Sequence, residues 1–108
     1  MALWPLQRGR IYLAKLGDLD PKWFVVVSNN QRNRNLHSVL AVRMTTTPKP
    51  PLPSIVVLDG RVPGFSGSIV CDDIVEIYPD EVIKDSGAIP AHVMRDIDDG
   101  LRAALNLL

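Results

Sequence analysis

The chain has 108 residues, of which 46% are hydrophobic, 22% charged and 6% aromatic, figures that suit one domain over residues 1–108 with enough apolar surface to fold without staples. Cys71 is the only cysteine, which excludes an internal disulfide framework and any multi-cysteine zinc site and suits a reducing, cytoplasmic setting. The formal net charge is zero, yet residues 1–61 carry nine basic against three acidic side chains (net +6) and residues 62–108 carry three against nine (net −6).

The longest strongly apolar run, residues 23–27, is far below the roughly 20 residues that span a bilayer. The segment ahead of Arg8 and Arg10 is too short for a secretory apolar region. Neither membrane insertion nor export is expected. The charge split leaves two readings open. Either the signs interleave in three dimensions and cancel, or the basic part presents a surface to a polyanion.

Taken in chain order, residues 9–16 alternate, with Ile11, Leu13 and the Lys15 stem on one side and Arg10, Tyr12 and Ala14 on the other, which predicts a half-buried strand. Residues 17–21, Gly-Asp-Leu-Asp-Pro, are turn chemistry. Trp23-Phe24-Val25-Val26-Val27 is almost wholly apolar and predicts a central strand. Residues 29–35 are too polar for core and read as a loop with one helical turn. Third and fourth strands are expected over 38–44 and 54–58. Four prolines (Pro48, Pro50, Pro51 and Pro53) stiffen the connection between them and withhold ladder hydrogen bonds.

A Gly/Ser-rich turn over 63–67 leads into two short strands, 68–71 and 74–78, divided by Asp72-Asp73. From Pro90 onward the period changes. Val93, Ile97, Leu101, Ala104, Leu105 and Leu108 recur every three or four residues, predicting an amphipathic helix opened by a proline and weakened slightly by Gly100. Five or six short strands with a terminal helix imply a small, curled antiparallel sheet or barrel.

No phosphate-cradling glycine loop, Cys/His metal spacing or nucleophile elbow is present. His37 and His92 stand far apart without flanking carboxylates and read as surface residues. Asp72-Asp73 could be a metal pair, but neighbours on a strand point to opposite faces, so a turn or strand-end role is favoured. More informative are polar groups at strand ends: Lys22 opens the second strand, Ser28-Asn29-Asn30 closes it, and Thr45-Thr46-Thr47 closes the third. If those strands are neighbours, their loops can enclose a basic, hydroxyl-lined groove. Otherwise Lys22 is a solvated loop residue and the threonines serve the strand edge.

Arg8-Gly9-Arg10-Ile11-Tyr12, the run from Lys22 to Asn30, Ala41-Val42-Arg43-Met44-Thr45-Thr46-Thr47 and the segment from Gly67 to Ile74 follow one another in an order that resembles the MazF/PemK toxin ribonucleases. Lys-Trp followed by Thr-Thr-Thr looks like the actinobacterial branch. The resemblance covers nearly the whole chain and implies an SH3-like small antiparallel barrel with a C-terminal helix. It further implies a homodimer that cuts single-stranded RNA without metal or other cofactor and so arrests translation and growth. In the family the RNA's own 2′-hydroxyl attacks, giving a 2′,3′-cyclic phosphate and a 5′-hydroxyl end.

Carried onto this chain, the family's catalytic Arg, usually followed by Pro, falls on Lys22, followed by Trp23. A protonated Lys supplies a compact charge where Arg would grip phosphate with two parallel bonds. The family threonine falls on Thr45, and Asp72 matches an acidic residue of one branch whose partner Arg is here Val70. Lys22, Thr45 and Asp72 are thus the expected catalytic residues. Arg8, Arg10, Trp23, Asn29, Arg32, Arg43, Thr46 and Lys49 are the expected RNA contacts, with Trp23 either stacking on a base or packing against the loop. The implied partner is a MazE-like antitoxin whose acidic, disordered segment competes with RNA, with DNA contact only through that complex.

Two rivals remain. A gyrase-directed toxin of the CcdB kind shares the fold but acts through a helix ending in Trp, whereas this chain ends Leu105-Asn106-Leu107-Leu108. A non-catalytic RNA-binding or antitoxin-sequestering module is kept open by Lys22 and Val70. Cleavage, gyrase inhibition or binding alone distinguishes the three.

Overall fold

The apolar runs become the strands of one antiparallel sheet. The computed structural model describes residues 5–108. In chain order these form β1 (Arg10–Ala14), β2 (Lys22–Val26), α1 (Asn30–Leu36), β3 (Val39–Thr45), β4 (Ile55–Val57), β5 (Ser68–Ile77), β6 (Val82–Ala88) and α2 (Ala91–Leu105). A short 3-10 turn at Pro79–Glu81 leads into β6. The strand order is β4-β5-β3-β2-β1-β6, with every pair antiparallel. The small antiparallel sheet with a terminal helix expected from the sequence is the observed fold, and β2 is central as its unbroken apolar run requires.

Alternation misleads in β1. Ile11 and Tyr12, which point to opposite faces, are both buried, as is Ala14. The reason is that the curled sheet has a core on each side. One cluster gathers Ile11, Val25, Val42, Ile69 and Cys71 with Val93 and Ile97 of α2. The other gathers Leu6, Tyr12, Ala14, Phe24, Val26, Val39 and Ile77. A strand between two cores is not half-buried, whatever its polar tips suggest.

Three further differences have local causes. The two strands expected around Asp72-Asp73 are one strand, β5, whose register against β3 jumps from Val42↔Ile74 to Arg43↔Val70. This bulge lets β5 bend, so that its first half pairs with β4. The polar segment after β2 is a two-turn helix rather than a loop. Asn29 caps it by accepting from the Arg32 N–H at 2.8 Å, and the fully buried Asn33 donates to the Ser28 carbonyl at 3.0 Å. Finally, β6 pairs along β1, although Val-Ile-Lys-Asp-Ser-Gly-Ala has neither alternation nor an apolar run.

Helix α2 docks through Val93, Ile97 and Gly100, all buried. Leu105 lies on the expected apolar stripe but is 52% exposed, so only the first part of the stripe meets the sheet. Gly100 permits the close approach, because a Cβ there would lie 2.6 Å from Cys71 Sγ and 3.3 Å from Cys71 Cβ. Burial, with Asp72 and Asp98 nearby, pushes the Cys71 thiol up to about 12, so Cys71 behaves as a small neutral core group.

The contact predicts a reversal of sign. Gly100→Ala gains about 1 kcal/mol of helix propensity but should lose about 1–3 kcal/mol to overpacking against Cys71, lowering the midpoint of denaturant unfolding. In a Cys71→Ala background the same substitution should be neutral or stabilising.

Candidate active site

Because β2 and β3 run antiparallel, the start of one lies beside the end of the other. Their register pairs Phe24 with Arg43. The pairing ends there, and two residues further along each strand stand Lys22 and Thr45. Here the structure opens a hollow of about 530 Å3, lined by Pro21, Lys22 and Trp23 of β2 and its approach, by Arg43 to Thr47, by Gly64 to Ser66, and by Lys84 and Ser86 of β6. Trp23 is half-buried and meets Phe65 edge-on, with ring centroids 5.2 Å apart, so its packing role is filled and the pair forms one wall.

Of the residues singled out in the sequence, the hollow brings together Lys22, Trp23, Arg43, Thr45 and Thr46. The Thr45 hydroxyl oxygen accepts the Thr47 N–H at 3.1 Å, which leaves its O–H hydrogen to donate elsewhere. Gly67 holds this corner in place. Its φ is +90°, and a Cβ there would lie 2.1 Å from the Thr45 carbonyl oxygen, so a side chain would displace the backbone that carries the threonines.

The other expected residues lie outside the hollow. Asn29 is the cap of α1, and Arg32 donates to the Ser38 carbonyl at 2.8 Å. Both stand beyond the far end of β2, which itself carries the chain roughly 13 Å from Lys22. Arg8 is tied to the Val27 carbonyl and lies 2.5 Å from Asp98 Oδ1 of α2. Lys49 is exposed in the proline-rich loop. Asp72 is exposed on the bulge of β5; its neighbour Asp73 instead meets Arg43, Nε to Oδ2 at 2.8 Å. Arg10 meets Asp85 at 2.9 Å.

Those contacts settle the charge split. Among the described residues, five of six ion pairs join a basic residue of the first 61 to an acid beyond them: Arg8–Asp98, Arg10–Asp85, Arg32–Glu76, Arg43–Asp73 and Arg61–Asp96. The signs interleave. No ion pair among the described residues takes up Lys22 or Lys84, and both line the hollow, so it keeps a positive field. A smaller adjoining cavity of about 150 Å3, lined by Leu16, Leu19, Phe24 and Val75, shares Lys22 and Arg43 with the hollow.

Lys84 and Ser86 were not anticipated. Nothing local marks them, since they reach the hollow only because β6 pairs with β1 and sets Lys84 beside Leu13, itself beside Trp23. Among the described residues no group of three His, Cys, Asp or Glu side chains is placed to hold a metal ion.

Comparison with known proteins gives a consistent result. Residues 7–105 match the family described as PemK-like, MazF-like toxins of type II toxin-antitoxin systems. The endoribonuclease MazF1 of Mycobacterium bovis is 35% identical over 100 residues, 93% of this chain and 92% of that protein. A solved mycobacterial endoribonuclease superposes with a TM-score of 0.82 at 32% identity, covering 95% and 93% of the two chains. A second, solved in complex with its cognate antitoxin, gives 0.84 at 33%, covering 95% and 97%.

The Arg10–Asp85 contact yields a pH prediction. Burial acts to raise the Asp85 carboxyl, but the Arg10 guanidinium and the Gly87 N–H outweigh it and hold the group below its ordinary 3.8. A carboxylate lowered by folding stabilises the native state above its unfolded value and loses that contribution as pH falls through the folded one. The stability advantage over Asp85→Asn should therefore be full at neutral pH and shrink below about pH 4 in unfolding titrations.

Proposed function

The chain belongs to the PemK-like, MazF-like toxin family, and we propose that it cuts single-stranded RNA in the hollow between Lys22, Thr45 and Lys84. The observation that carries this reading is that Lys22 and Thr45, each two residues beyond the last paired residues of β2 and β3, line one positively charged hollow. Such a site suits a phosphodiester, which brings negative charge and non-bridging oxygens that accept hydrogen bonds.

In the reaction the 2′-oxygen forms a bond to phosphorus and gives up its proton, while the bond to the 5′-oxygen breaks and that oxygen gains one. The products are a 2′,3′-cyclic phosphate and a 5′-hydroxyl end. Negative charge grows on the non-bridging oxygens as phosphorus becomes five-coordinate. The Lys22 ammonium offsets that charge, and the Thr45 hydroxyl donates to one oxygen, its own lone pair already engaged by the Thr47 N–H. Arg43, whose Nε meets Asp73, lines the same side and offers its remaining N–H groups as donors. The described residues lining the hollow include no carboxylate or imidazole. The contribution of Lys22, Thr45 and Arg43 is positional and electrostatic, aligning the 2′-oxygen with the bond it breaks.

A cognate antitoxin with an acidic, disordered segment restrains the enzyme by occupying the same positive field, and two copies of the chain form the working toxin. In this reading it works in the cytoplasm, with its RNA substrate. Among the described residues no helix is long and apolar enough to cross a membrane.

Lys22 is exposed, so its substitution leaves the fold intact. Lys22→Ala should lower the rate of RNA cleavage about 100- to 1,000-fold with an unchanged melting temperature, and Thr45→Val should fall in the same direction. Lys22→Arg should retain more activity than Lys22→Ala. The measurement is the yield of 5′-hydroxyl ends from a defined RNA with a chelator present. Undiminished cleavage by Lys22→Ala would remove the assignment.

A further inference from the structure

We infer that Lys84 and Ser86 of β6 form a second phosphate subsite, which holds a phosphate flanking the scissile one and draws the RNA from Thr45 across Trp23 toward the edge of the sheet. This rests on the ribonuclease reading above and extends it to residues that neither the sequence pattern nor the matched family description assigns.

Three observations carry it. Lys84 and Ser86 are two residues apart on β6 and both line the hollow, while Asp85 between them turns to the other face and is taken up by Arg10. The acid that would neutralise Lys84 is thereby held away from it. The Ser86 hydroxyl oxygen is buried and has no hydrogen-bond partner. A buried hydroxyl without a partner is costly, and a turn of its side chain toward the hollow, which Ser86 lines, lets it donate to an anion there. Finally, Ala14 lies between Lys22 and Val82, and Leu13 lies beside Lys84, so the backbones carrying the two lysines stand roughly two strand spacings, about 10 Å, apart.

Two ammonium groups in one hollow repel and settle on separate oxygens or separate phosphates. A hollow of about 530 Å3 has room for more than a single phosphate group. The charged edge also has a second consequence: Lys84 is exposed on an edge strand, where an unpaired cation discourages strand addition by another chain.

The test uses the full chain and an oligoribonucleotide made uncleavable by a single 2′-deoxy substitution at the scissile position. Wild type, Lys84→Ala and Ser86→Ala are titrated over a range of salt concentrations. Lys84→Ala should bind several-fold more weakly and reduce the slope of log affinity against log salt by about 0.7, the share of one phosphate on a single strand. Replacing one flanking phosphate with methylphosphonate should weaken wild type and leave Lys84→Ala unaffected. Ser86→Ala should lose RNA affinity while its melting temperature stays level or rises, an outcome that a merely structural serine would not give. With cleavable RNA, Lys84→Ala should raise KM and keep kcat.

An unchanged salt slope in Lys84→Ala overturns the subsite, as does a Ser86→Ala variant that loses stability and affinity together. Weakened binding of an acidic peptide with RNA binding intact overturns it too. Because binding is read on RNA that cannot be cut, absence of cleavage by wild type would count against the ribonuclease reading alone. Absence of any RNA binding by wild type would end both.

Discussion

The register of β2 against β3 is the constraint on which the site depends. Phe24 faces Arg43, which packs Phe24 with Val26 and Ala41 in one core and Val25 with Val42 and Met44 in the other. A slip of one residue would exchange the faces of every side chain on the strand and bury polar groups in both cores. The two cores therefore lock the alignment, and the alignment sets an exposed Lys22 against Thr45 just beyond the last packed pair. Hydrophobic packing in the middle of the strands thus fixes polar geometry at their ends. The bulge in β5 contributes by letting one strand serve both β3 and β4, and Gly67 lets its start come close under the threonine backbone.

Charge is distributed by the same logic. A chain with a +6 half and a −6 half could have folded into a dipole. Instead the acids of β5, β6 and α2 reach back to the arginines of the first half. Arg8 and Arg61 are joined to α2, Arg10 to β6, and Arg32 and Arg43 to β5. These are half-exposed contacts, each worth at most about 1 kcal/mol, so their greater effect is on the field. They neutralise five cations of the basic half and leave Lys22 and Lys84, which line the hollow, outside any ion pair among the described residues. Among the described residues every basic partner in an ion pair is an arginine, in keeping with its planar, multidentate grip.

Much of this was legible in the sequence, for identifiable reasons. The run from Trp23 to Val27 could only be a buried strand, and the period from Val93 to Leu101 could only be a helix against a sheet. Lys22 and Thr45 were legible as strand-end polar residues, and the chain's resemblance to a toxin family gave them roles. What escaped detection depends on contacts remote in sequence. β6 has no pattern of its own and is a strand because β1 supplies its partner, so Lys84 and Ser86 could not be placed. Arg8, Arg10 and Arg32 read as free cations because their acids lie 90, 75 and 44 residues away along the chain. Helix α1 lacks an apolar stripe and is held by capping and by one buried asparagine. Asn29 looked like a groove residue, yet an antiparallel pair puts the end of β2 at the opposite pole from the end of β3.

The central claim is that Lys22 and Thr45, aligned by strand register, hold the phosphate at which RNA is cut. The most direct measurement is a crystal structure of the protein with an oligoribonucleotide carrying a 2′-deoxy substitution at the cleavage position. The account predicts the scissile phosphate within hydrogen-bond distance of both Lys22 Nζ and Thr45 Oγ1, with the neighbouring strand running past Trp23. An oligonucleotide seated elsewhere on the protein, with the hollow between β2 and β3 unvisited, would contradict it.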